Sequence, residues 1–190
     1  MDLRIEKTRR GILNAFLALR SQKPLEKITV RELAAAAQIN KSTFYAHYQD
    51  IFALSDSIEE ELVESIIQNL SDPSSILTHP ATFTRELALA CIAQENLIRT
   101  IFSGNQAAHL PLRLELGIKK LVFAAYPNHQ EDTTFQTFLS FCIYGAYYAF
   151  RQNYSTDLEA VLHTLGLLSE GAKDTFLASF ASSQLVKDSK

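Results

Sequence analysis

Several features are scarce or missing in this 190-residue chain, and each absence closes off a class of protein. No apolar run reaches the roughly 18 residues that a membrane-spanning helix needs, so no membrane partner is expected. The first residues lack the apolar centre of a secretory leader, which points to the cytoplasm. The two cysteines, Cys91 and Cys142, each lie in an apolar helical run. That setting favours buried free thiols over a disulfide. The five histidines (47, 79, 109, 129 and 163) show no paired ligand spacing, so no metal site and no cofactor are expected. There is no Gly-rich phosphate loop, no H-E-x-x-H and no nucleophile elbow, which argues against an enzyme. Strand-like alternation and internal repeats are also missing. The reading that remains is all-α, with about nine helices.

Charge is distributed unevenly. Residues 1–50 hold nine Lys and Arg against five Asp and Glu, net +4; residues 51–190 hold nine against sixteen, net −7. A basic front end on an acidic body suits attraction to phosphate with little sticking elsewhere. Arg4, Lys7, Arg9 and Arg10 cluster where a first helix begins, and could reach a nucleic-acid backbone or form a solvated helix start.

Residues 29–48, TVRELAAAAQINKSTFYAHY, are the most informative stretch. Thr29 with Glu32 three positions later forms a capping-box pattern, followed by Val30, Leu33, Ala34 and Ala37 at helical spacing. Gln38, Ile39 and Asn40 make the connection, and Asn40 suits the N-cap of a helix beginning at Lys41. Phe44 and Tyr48 share the inward face of that helix. Lys41, Ser42, Thr43, Tyr45 and His47 supply polar groups for an outward face, as a major groove requires. The same pattern also fits a plain helical hairpin with a solvated side.

This stretch resembles the N-terminal domain of the TetR family of bacterial transcriptional repressors. There a Thr-led second helix, a turn and a recognition helix of the form x-x-[ST]-[FLI]-Y-x-[HY]-[FY] follow one another. Here Lys41-Ser42-Thr43-Phe44-Tyr45-Ala46-His47-Tyr48 supplies that form, and Thr8 to Leu19 stands in the place of the first helix. The likeness covers roughly residues 5 to 55. Two positions depart from it. Gln38 stands where the turn usually has Gly and must then adopt a left-handed conformation, at roughly 1 kcal/mol or more. Ile51 stands where many relatives place a phosphate-touching Lys, and Asp50 before it suits an N-cap.

The resemblance implies a three-helix helix-turn-helix DNA-binding domain over 1–50 and a larger helical dimerisation and effector-binding domain over 51–190. It implies a sequence-specific transcriptional regulator, a repressor being the commoner outcome. Such a protein binds a palindromic operator in double-stranded DNA as a homodimer through its last two long helices, and a small-molecule effector releases it. Thr43 and His47 are then candidates for base-edge or close phosphate contact, and Tyr45 for a phosphate. Lys41 and Ser42 suit a phosphate or, for Lys41, a guanine edge, while Thr29 and Arg31 suit the backbone. Phe16, Leu33, Phe44 and Tyr48 hold the helices together.

Further along, Leu54, Ile58, Leu62, Ile66 and Leu70 mark a long helix ended by Ser71-Asp72-Pro73. Apolar segments follow over about Thr82–Phe102 (with a break near Gln94–Asn96), Pro111–Tyr126, Asp132–Tyr154, and from Leu158 past Gly171. The tail from Ser182 to Lys190 reads as frayed. Apolar residues nearly encircle the Phe135–Tyr154 helix, so it needs cover on more than one side. Either the chain's own core supplies that cover, or a second copy does, in a two-fold four-helix interface. Phe83, Leu87, Phe102, Phe123, Tyr126, Phe138 and Tyr144 are candidate pocket walls, though aromatics at helical spacing also make ordinary core. Few charges interrupt these runs, Arg99 and Arg151 being nearest, so an apolar effector is expected. The rival reading is a helical protein–protein module, a coactivator whose TetR-like body recruits a partner.

Overall fold

A computed structural model describes residues 3–187, with side chains through residue 178 apart from 73 and 74. Among the described residues there are nine α-helices and no strand. They are α1 (Leu3–Arg20), α2 (Val30–Ala36), α3 (Lys41–Tyr45), α4 (Ile51–Gln68), α5 (Pro80–Ala93), α6 (Glu95–Ile101), α7 (His109–Ala125), α8 (Thr133–Asn153) and α9 (Leu158–Lys187). Short 3-10 turns occur at Leu25–Lys27, Pro73–Ile76, Gly104–Ala108 and Pro127–His129. The all-α expectation holds. Of the tail read as frayed, α9 takes in residues as far as Lys187, while 188–190 lie outside the described residues.

Most helix starts follow from side chains that satisfy orphan backbone donors. Thr29 and Glu32 form the reciprocal capping box of α2. Asn40 caps α3 through the Thr43 amide at 2.7 Å. Asp50 caps α4 through the Ala53 amide at 2.8 Å. Asp132 caps α8 through the amides of Thr134 and Phe135, at 2.9 and 3.2 Å.

The chain divides into two compact units, but not at residue 50. One unit comprises residues up to Val63 together with Gln94–Leu110; the other comprises Glu64–Ala93 and the chain from Pro111 onward. The boundary falls inside α4, whose residues up to Val63, with Ile51, Leu54, Ile58, Leu62 and Val63 buried, belong to the first unit, called the head below. In addition, α6 packs against α1 and so joins the head despite its place in the sequence.

In the first unit Ile12, Phe16, Leu33 and Phe44 are fully buried and bind α1, α2 and α3 together. Arg20, at the end of α1, is also buried. Its guanidinium donates to the Ile101 carbonyl at 3.0 Å, to Ser103 Oγ at 2.8 Å, and to the Ser103 and Lys23 carbonyls at 3.3 Å. It therefore serves the free carbonyls at the C-terminus of α6, where a cation is favoured. Desolvation nevertheless lowers its pKa. In the second unit α9 packs on α5 and α8 around Ala88, Phe150, Leu162 and Leu165.

Candidate functional site

The head presents its polar groups by a local mechanism. α2 ends in a Schellman arrangement, with the Ile39 amide donating to the Ala34 carbonyl at 3.0 Å and the Gln38 amide to the Ala35 carbonyl at 3.2 Å. That geometry needs a left-handed residue at 38, and Gln38 has φ 55, as its place in the turn required. The chain then turns into α3, which is only five residues long. Amides of His47 and Tyr48 both return to the Phe44 carbonyl, at 2.9 and 3.0 Å, so the expected helix tightens into a turn after Tyr45.

On α3, Phe44 is fully buried, and its ring meets those of Tyr45 and Tyr48 at 5.6 and 5.9 Å. Lys41, Ser42 and Tyr45 are exposed, and Thr43 and His47 are half-buried. Arg31 is exposed on α2. One acceptor organises the two hydroxyls: Asn40 Oδ1 receives Ser42 Oγ at 2.6 Å and Thr43 Oγ1 at 2.8 Å, besides the Thr43 amide. With both protons drawn to Asn40, Ser42 and Thr43 turn acceptor lone pairs outward.

Thr29 is committed differently. Its hydroxyl donates to Glu32 Oε2 at 2.8 Å and accepts from the Glu32 amide at 3.2 Å. Lys23 joins Glu32 Oε1 at 2.7 Å. These partners, Lys23 first and then Thr29, hold the Glu32 carboxyl down at about 2. Arg9 is engaged as well. Tyr48, then Glu61, raise its pKa, and its guanidinium pairs with Glu61. Lys7 and Arg10 are exposed at the start of α1. Ile51 is buried rather than turned toward a ligand.

Residues 12–56 match the model of a family described as bacterial regulatory proteins, tetR family. Over that segment the chain is similar to the TetR family. No curated protein and no solved structure matches it. The match runs from the middle of α1 to the first turns of α4, the segment that holds the caps of α2, α3 and α4, the turn and the buried Phe44. The matched segment supports a DNA-binding transcriptional regulator of the TetR kind, a family whose members are regulators rather than enzymes. No helix among the described residues is long and apolar enough to cross a membrane.

The second unit contains a largely apolar cavity, partly open to solvent. Of the candidate wall residues, Phe83, Leu87 and Phe138 line it. Phe102, Phe123, Tyr126 and Tyr144 do not. Phe102 is buried in the other unit, at the end of α6. Phe123 faces Phe135, with ring centroids 6.3 Å apart. Tyr144 turns to Glu115, which with desolvation raises the phenol's pKa. Helical spacing placed all seven on apolar runs, but the rotation of each helix about its axis decided which way they face. The walls that were missed include Leu114 and Ile118 of α7 and Leu165 of α9, besides further residues of α5 and α8.

Both thiols line this cavity, and burial pushes Cys91 up to about 12 and Cys142 up to about 11. The wall around them is largely apolar. Polar atoms gather at one end: Thr84 Oγ1 and Ser169 Oγ lie 3.0 Å apart, and Lys173, rather than Arg99 or Arg151, is the basic lining residue. Lys173 is held by Glu170 at 2.6 Å, which raises its pKa.

The scattered histidines also conceal one convergence. His109, at the start of α7, meets Asp56 and Glu59 of α4, with their potential ligand atoms all within 4.8 Å of one another. No spacing rule could have found it, because the partners lie some fifty positions apart in sequence.

Proposed function

We propose that this chain is a repressor that binds a palindromic operator as a homodimer and is released by a small apolar ligand. The observation that carries the DNA reading is the exposed row Lys41, Ser42 and Tyr45, with Arg31 beside it, standing over a fully buried Phe44. In this reading residues 1–50 read the DNA, with α3 in the major groove. Lys41 and Arg31 supply cations, and Tyr45 donates its hydroxyl to a phosphate. His47 and Thr43 approach the base edges. Because Asn40 holds the Ser42 and Thr43 protons, these hydroxyls suit the exocyclic amines of adenine or cytosine, which donate into the major groove. Thr29 acts by holding α2 in place, since its hydroxyl already has both partners.

The dimer reading is supported by an unpartnered apolar line on α8 and α9. Phe141 is 72% exposed, Leu167 and Leu168 are each 62% exposed, and Tyr148 is half exposed. Gly145, on the same α8 line, and Gly171 on α9 have open space where a side chain would stand. A helix of a second copy can approach closely there. Two α3 helices related by a two-fold axis then meet half-sites about 34–36 Å apart, one turn of DNA. The largely apolar cavity supports an apolar ligand whose single polar group meets Thr84, Ser169 or Lys173. Such a ligand weakens DNA binding only by its differential affinity for the two states.

The test is an electrophoretic shift with DNA from upstream of the protein's own gene, titrated with salt. Site-specific binding that weakens steeply with salt is expected. Lys41→Ala should flatten the salt slope by about one unit if Lys41 touches a phosphate. Folded protein that binds no DNA at low salt supports the protein-recruiting module instead.

A further inference from the structure

Buried polar groups are the informative exceptions in a core, and among the described residues they are few: Arg20, Ser55, Glu59, Ser75 and Gln106. Two of them sit one turn apart on α4. Glu59 is entirely buried, yet one carboxylate oxygen accepts from Ser55 Oγ at 3.1 Å and the other lies 2.9 Å from His109 Nδ1. Asp56, three residues before Glu59 and therefore on the same face, brings a second carboxylate to the cluster. All three residues belong to the unit that carries the DNA-reading helices.

We propose that Asp56, Glu59 and His109 form a binding site for a first-row divalent transition cation. The ligand atoms lie within 4.8 Å of one another. A cation about 2.1 Å from each ligand atom holds those atoms roughly 3 to 4 Å apart, so side-chain rotation alone closes the site. One imidazole nitrogen with two carboxylate oxygens suits zinc or manganese better than calcium or magnesium, which favour all-oxygen shells, and better than soft Cu(I). Ser55 fixes the orientation of the buried carboxylate, as outer-shell donors do around bound metals. The exposed side, where Asp56 lies, leaves room for water to complete the coordination. The cation fastens α4 to the residue that opens α7, on the side of the chain that belongs to the head.

The test uses the full-length protein without a histidine tag, stripped with chelator and titrated with Zn²⁺ and separately with Mn²⁺. Calorimetry should show one class of saturable site. Melting at a hundredfold excess over the dissociation constant should rise by about 5–10 °C. Asp56→Asn, at an exposed position, and His109→Ala should each weaken binding at least tenfold, and Ser55→Ala about tenfold. His163→Ala, on exposed α9, should leave it unchanged. The absence of saturable binding in the millimolar range overturns the proposal, as does binding unaltered in both Asp56→Asn and His109→Ala. Operator binding by the chelator-stripped protein is a separate readout, and its presence leaves the DNA reading standing whatever the cation result.

Discussion

Asn40 is where folding and the proposed DNA recognition meet, and its replacement separates the two. Its side-chain oxygen accepts three donors within 2.8 Å: the Thr43 amide and the hydroxyls of Ser42 and Thr43. Removing an N-cap costs about 1 kcal/mol. The two hydroxyl bonds are exposed and exchange for water, so they add at most about 0.5 kcal/mol each. Asn40→Ala should therefore lose about 1–2 kcal/mol of stability, read as a lower urea midpoint with unchanged slope. A five-residue helix has almost no propensity to form alone, so uncapped α3 should also bind operator about tenfold more weakly. Asn40→Asp keeps the acceptor and places a charge where the helix N-terminus favours it, so its stability should match or exceed the parent's. The same charge repels DNA phosphates. At about 7 Å and an effective dielectric between about 20 and 80, the penalty is about 0.6–2.4 kcal/mol, roughly a threefold to fiftyfold loss of affinity. The decisive comparison is thus Asp against Ala: stability restored, DNA binding still impaired. An Asp variant as unstable as Ala, or an Ala variant within about 0.5 kcal/mol of the parent, refutes the capping account.

Four other perturbations test neighbouring parts of the reasoning. Gln38→Gly relieves the left-handed strain and, net of glycine's greater entropy when unfolded, should raise stability by about 0.5–1 kcal/mol, read as a melting point about 2 °C higher. Arg20→Ala strips buried acceptors of a charged donor and should destabilise by about 3 kcal/mol in denaturant unfolding, with Arg20→Lys recovering only part. The Glu32 carboxyl is held down at about 2, so its stabilising contribution is complete above the ordinary value near 4.5 and disappears as pH falls toward 2. The gap between parent and Glu32→Gln in urea unfolding should accordingly be constant from pH 7 to 5 and close in acid. Phe141→Asp should convert the proposed dimer to monomer in sedimentation while leaving helical content unchanged, and a persistent dimer would reject the α8–α9 interface.

Sequence alone determined whatever closes within about four residues along the chain. Thr29 with Glu32, Asn40 with Thr43, Asp50 with Ala53, the left-handed Gln38 and the inward Phe44 were all readable, because cap and turn chemistry depend on near neighbours. So were the helices of the body, whose breaks at Pro73, Gln94 and Pro127 are local events. Tertiary structure alone decided what depends on how each helix is rotated and what it meets far along the chain. It turned Phe123 and Tyr144 away from the cavity and brought in Lys173. It joined α6 to the head through Arg20, eighty-one positions from Ile101, and it set His109 against Glu59 across fifty. Contacts of that range leave no periodic trace, because one helix face offers the same spacing whichever neighbour it buries against.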